Sequence, residues 1–112
     1  MKTTIITHTV VTATDAVIPI TNTEFPNINS KVSMQVKGES ILTGAVTVQL
    51  REGNVVSDGS NYKDITAGAK AVPIGNSDEY IDAGEFNGAF LELDISVGSS
   101  TGGELTITLM YK

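Results

Sequence analysis

No cysteine occurs anywhere in the chain, which excludes disulfides and thiolate-bound metals. The same absence fits folding in a reducing cytoplasm. There is no tryptophan either, and only three tyrosines and three phenylalanines. Sugar-binding surfaces commonly stack rings on exposed aromatics, so this scarcity weighs against a lectin. Histidine occurs once, at His8, so any Ser–His–Asp or Cys–His arrangement would have to use it. It sits in a threonine-rich strand with no neighbours suited to an oxyanion site and reads as a surface strand residue. Basic residues number seven against thirteen acidic ones, for a net charge of −6. That balance, with the basic residues scattered, predicts no nucleic-acid and no membrane partner. No apolar run approaches the roughly 18 residues of a membrane helix. Threonines interrupt residues 1–11 every few positions, unlike the continuous apolar stretch of a signal peptide. The expectation is a soluble protein folded where it is made.

What the chain does have is period two. Leu91, Leu93, Ile95 and Val97 alternate with Glu92, Asp94 and Ser96, and Leu105, Ile107, Leu109 and Tyr111 alternate with Thr106, Thr108 and Met110. Successive strand side chains point to opposite faces, so each arm buries one face and wets the other. The link between the arms, 98–103, is Gly, Ser and Thr throughout, and the reading is a β-hairpin. Val32, Met34 and Val36 alternate in the same way, as do Val46, Val48 and Leu50. Residues 3–14 form a Thr-, Val- and Ile-rich strand of imperfect alternation, and Pro19 puts the next strand at an edge. Gly38-Glu39-Ser40 reads as a turn, 62–66 and 69–74 as two short strands, and 79–82 as another. No helical period persists and no repeat or linker is visible. The predicted fold is one all-β domain over 1–112, an antiparallel β-sandwich or jelly roll of about eight short strands.

Candidate chemistry is thin. Asp78, Glu79, Asp82 and Glu85 crowd a turn, where paired carboxylates or oxygen ligands for Ca²⁺ would be the chemistry to consider; their spacing matches neither. They read as a solvated acidic rim. Asp58, Asn61 and Asp64 flank an Asp58-Gly59 turn and offer calcium oxygens, but hydrogen bonds to the turn backbone account for Asp58 and Asn61 without a metal. No cofactor is predicted and the chain reads as a non-enzyme.

One resemblance adds to this. Val46-Thr47-Val48-Gln49-Leu50, then Ser57-Asp58-Gly59-Ser60-Asn61-Tyr62-Lys63-Asp64-Ile65, then Gly84-Glu85-Phe86, and finally Gly103-Glu104-Leu105-Thr106-Ile107-Thr108-Leu109-Met110-Tyr111-Lys112 resemble a pattern in small tailed-bacteriophage virion proteins. The match covers about the last two thirds of the chain. The chain departs from that pattern in a longer loop over 52–57 and in Glu92 and Asp94, where an arginine is common. The resemblance implies a capsid decoration, auxiliary or fibre-associated protein, made in the host cytoplasm and held in the virion. Its partners would be other virion proteins, the capsid first, and it would be a homo-oligomer or lattice-bound. The candidate docking strand is Thr3, Thr4, Ile5, Ile6, Thr7, Thr9 and Val11, since weakly specified alternation suits a strand whose second face meets another chain. The alternative is a carbohydrate-binding module or adhesin holding glycan at loop tips, through Asp58, Asn61, Tyr62 and Tyr80.

Overall fold

The computed structural model describes residues 2–20, 30–54, 62–86, 88 and 90–111. Eight strands run β1 (Lys2–Thr9), β2 (Ala16–Pro19), β3 (Ser30–Leu42), β4 (Val46–Gly53), β5 (Lys63–Val72), β6 (Gly75–Phe86), β7 (Phe90–Ser96) and β8 (Gly102–Tyr111). They form two antiparallel four-stranded sheets, ordered β1-β8-β3-β6 and β2-β7-β4-β5. Two facing sheets that exchange successive strands in this order make a jelly roll.

Val32, Met34, Val36, Val46, Val48, Leu50, Leu91, Leu93, Ile95, Val97, Leu105, Ile107 and Leu109 are all buried in the core between the sheets. One inner row runs Ile6–Ile107–Val36–Glu79 across the first sheet; facing it is Ala16–Ile95–Val48–Lys70 across the second. Ile107, Val36, Ile95 and Val48 are fully buried. At one end of these rows Lys70 Nζ lies 3.4 Å from Glu79 Oε2, linking the β5 and β6 edges. At the other end the rows stop on Ile6 and Ala16, which, like Ile18 beside them on β2, pack against the core but remain partly exposed.

Four local expectations are corrected. The hairpin is not one: β7 pairs with β2 and β4, whereas β8 pairs with β1 and β3, in the opposite sheet. The link between them arches over the end of the sandwich instead of turning back beside it. Buried Ser100 anchors that arch, donating from Oγ to the Leu42 carbonyl at 2.9 Å and from its backbone N–H to Val97 at 3.0 Å. Gly38, Glu39 and Ser40 lie within β3, where register shifts absorb the irregularity. The segments 62–66 and 69–74 join into the single strand β5, and 79–82 is the middle of β6.

Gly103 follows the arch at φ +132°, and a Cβ there would fall 2.9 Å from Ile41 Cα. Gly103→Ala should therefore combine backbone strain with overpacking and cost about 1–3 kcal/mol in urea unfolding. A loss within about 0.5 kcal/mol would mean that the arch yields freely.

Candidate functional site

β1 is the edge of its sheet and pairs with β8 over its whole length without a break, from Lys2↔Tyr111 to Thr9↔Glu104. Its alternation is cleaner in the fold than in the sequence. Thr3, Ile5, Thr7 and Thr9 point outward and are exposed; Thr4, Ile6 and His8 point inward and are half-buried. Val11 lies beyond the strand, exposed in a tight turn bridged to Thr14, where Ala13 takes φ +55°.

The outer face of this sheet reads across as Thr3–Met110–Ser33–Asp82, Ile5–Thr108–Gln35–Tyr80 and Thr7–Thr106–Lys37–Asp78. Half of these twelve are Thr, Ser or Gln, and the charged ones, Lys37, Asp78 and Asp82, lie on β3 and β6. Against that background three large side chains stand out: Ile5 at 65% exposure, Tyr80 at 60% and Met110 at 39%. Ile5 and Met110 are diagonal neighbours on adjacent strands, within about 7–8 Å. Isolated exposed apolar groups are ordinary; a flat face carrying several beside an open sheet edge is a surface suited to contact.

The remaining candidates separate. The acidic residues of β6 part by alternation: Asp78 and Asp82 point outward and Glu79 inward. Asp78 accepts a hydrogen bond from Gln35 Nε2 at 2.7 Å, and Asp82 accepts one from the Gly84 N–H at 3.0 Å. Among the described residues no group of three or more His, Asp or Glu side chains gathers as a metal site. Tyr62 is not at an accessible loop tip: it is 5% exposed, and a Cβ on Gly53 would fall 2.5 Å from its ring. Tyr80 is exposed but lies mid-strand in β6. Asp58 and Asn61 fall outside the described residues, so of the three side chains weighed as calcium oxygens only Asp64 lies within them. Asp64 forms an ion pair with Arg51, Nε to Oδ1 at 3.2 Å.

Glu92 departs most from expectation. It belongs to the outer face of the second sheet, where alternation predicts solvent, yet it is fully buried. Arg51 Nη1 donates to Glu92 Oε1 at 3.1 Å, and Arg51 Nη2 donates to the Tyr62 carbonyl. This arrangement pins the start of β5 to the middle of the sheet. Met110 is the exposed apolar residue of this outer face that the sequence pattern did not single out. Its signal was available, as an apolar side chain at a position whose strand neighbours on that face are threonines.

No known family matches the sequence, and no curated protein does. Solved structures do share the fold. PirA is similar over 96% of this chain and 93% of its own, at 20% identity and a TM-score of 0.57. The Yersinia pseudotuberculosis-derived mitogen is similar over 97% of this chain and 85% of its own, at 12% identity and a TM-score of 0.52. A chain from Bacillus endospore appendages, described as a family of disulfide-linked pili, aligns over 97% of this chain and 88% of its own, at 20% identity and a TM-score of 0.45. At these identities the first two show a common architecture and nothing about activity.

Proposed function

We propose that the chain is a non-enzymatic structural protein of a bacteriophage virion, a capsid decoration or auxiliary protein that docks on a larger assembly by protein–protein contact. The motif resemblance supports the virion setting. The observation that carries the docking is the outer face of the β1-β8-β3-β6 sheet, with Ile5 and Met110 exposed among threonines beside β1, the edge strand among the described residues, and Tyr80 exposed across the face on β6. The size is sufficient. Four strands at about 4.8 Å spacing and eight residues at about 3.3 Å give roughly 500 Å² on one side, or about 1,000 Å² over both partners, the lower bound for a stable contact. The glycan alternative loses Tyr62 to the interior, so a flat protein-binding face fits the side chains better than a sugar site at the loop tips.

Ile5→Lys tests this. Ile5 is mostly exposed, so folding should change by no more than about 0.5 kcal/mol. Particle association should fall by roughly tenfold or more, since a lysine ammonium would have to be desolvated at the contact. Co-sedimentation of wild-type and variant protein with purified particles gives the answer. Unchanged association of Ile5→Lys, together with loss of glycan binding in Tyr80→Ala, would favour the adhesin instead.

A further inference from the structure

We infer that the side of the sandwich bounded by β1 and β2 is a self-association surface, on which a second copy docks by antiparallel pairing of β1 with β1 about a two-fold axis at Ile5. This deepens the docking reading and rests on it only in treating β1 as an interface.

The four sheet edges are not alike. β2 has four residues and ends on Pro19, which has no N–H to offer. The β5 and β6 edges lie together, joined by Lys70 and Glu79. β1 has eight residues in unbroken register, with no proline and no bulge, and its one lysine, Lys2, stands at the very start of the strand, outside the Thr3–Thr7 stretch. The hydrogen-bonding direction follows from its end. The Val10 N–H donates to the Gly103 carbonyl at 2.8 Å, so antiparallel alternation turns the even-numbered residues of β1 toward β8. The N–H and C=O groups of Thr3, Ile5, Thr7 and Thr9 then face away from β8, toward an edge on which no strand pairs among the described residues.

A strand is self-complementary in this geometry only if residues of like parity meet, because a two-fold axis normal to the sheet keeps outer faces together. Centred on Ile5, the register sets Ile5 against its own copy, Thr3 against Thr7 and Thr4 against Ile6. The three odd-numbered pairs would exchange about six N–H···O bonds. The most exposed apolar side chain of the strand then packs on itself at the axis, with threonines on either side. The same operation brings the open ends of the core rows together, covering Ile6, Ala16 and Ile18, which this side leaves partly exposed. The side measures about 26 Å along β1 and about 20 Å in depth, so roughly 1,000 Å² would be buried over two copies. The partner is therefore a second copy of this chain, and the product is one continuous eight-stranded sheet whose outer face stays available to the larger assembly.

With no native cysteine, disulfide trapping has no background. Directly opposed residues of a hydrogen-bonded pair have Cα atoms about 5.5 Å apart, within disulfide reach. Oxidised Ile5→Cys should run as a covalent dimer at twice the 11.8 kDa chain mass. Thr7→Cys alone should not, because its copies would lie about 14 Å apart along the strands. A mixture of Thr3→Cys and Thr7→Cys should link. Sedimentation of the wild type should show a concentration-dependent dimer. A wild type that stays monomeric, or Thr7→Cys linking as readily as Ile5→Cys, overturns the pairing. If the wild type is monomeric while Ile5→Lys still abolishes particle association, self-pairing falls and docking stands. Specific cross-linking of a protein that never joins particles supports the pairing and sinks the docking.

Discussion

Arg51→Ala is expected to cost about 3–5 kcal/mol, the penalty typical of removing one partner from a buried ion pair. The carboxylate it serves is fully buried, and the Arg51 side chain is itself only 18% exposed. The Asp64 partner adds little: its side chain is 66% exposed, and exposed pairs contribute about 0–1 kcal/mol. Arg51 Nε approaches Asp64 closely enough for an ion pair but without hydrogen-bond geometry, which lowers that contribution further. The loss therefore comes mainly from Glu92 left without its guanidinium, and from the Tyr62 carbonyl left without Arg51 Nη2. Adding Glu92→Gln to Arg51→Ala removes the buried charge and should restore a substantial part of the stability. Urea unfolding of the four proteins in this cycle measures the coupling. A single-variant cost under about 1 kcal/mol would show that the buried pair does not hold the sheet to β5.

Leu93→Ala should cost about 2–5 kcal/mol. Leu93 is fully buried in the middle of β7, paired with Ile18 on one side and Leu50 on the other. Neighbouring strands fix the backbone on both sides, so the cavity cannot close by a small shift. A domain of this kind has about 5–15 kcal/mol in total, so the variant would be markedly less stable in thermal or urea unfolding. Ser96→Ala, on the same strand but exposed, should stay within about 0.5 kcal/mol. Equal effects at the two positions would contradict the assignment of faces.

That assignment was readable in the sequence because period two is a local property. Val32, Met34, Val36, Val46, Val48, Leu50, Leu91, Leu93, Ile95, Leu105, Ile107 and Leu109 all alternate visibly, and all are buried. Pairing is not local. Leu91 to Val97 and Leu105 to Leu109 have the same pattern whether the arms lie side by side or face each other across the core. The link 98–103 was the available cue, since it is longer than the two-residue loops that most hairpins use. Ser100, buried at the crossing, has no signature in the pattern. Glu92 was misplaced for a related reason. Alternation reports which side of a sheet a residue takes, and a fixed cationic partner such as Arg51, forty-one residues away in sequence, then decides its burial.

The candidate site was legible only in part. The amino-terminal segment was identifiable as a strand of weakly specified faces from its imperfect alternation, and the structure puts it at the edge of its sheet as β1, with Thr3, Ile5, Thr7 and Thr9 on a defined outer face. Tyr62 read as a loop-tip aromatic because it follows a turn motif. Its burial comes from the close approach of Gly53 on the neighbouring strand, a contact that spacing along the chain does not reveal.

On the proposed function this protein joins a larger assembly through β1 and the face beside it. Quantitative mass spectrometry of purified particles, carrying either the wild-type chain or Ile5→Lys, tests it most directly. The wild type is expected at a fixed stoichiometry relative to the capsid protein, and Ile5→Lys folded and expressed but depleted roughly tenfold or more from particles. Particles that lack the wild-type chain, or that carry the variant at the same stoichiometry, would contradict it.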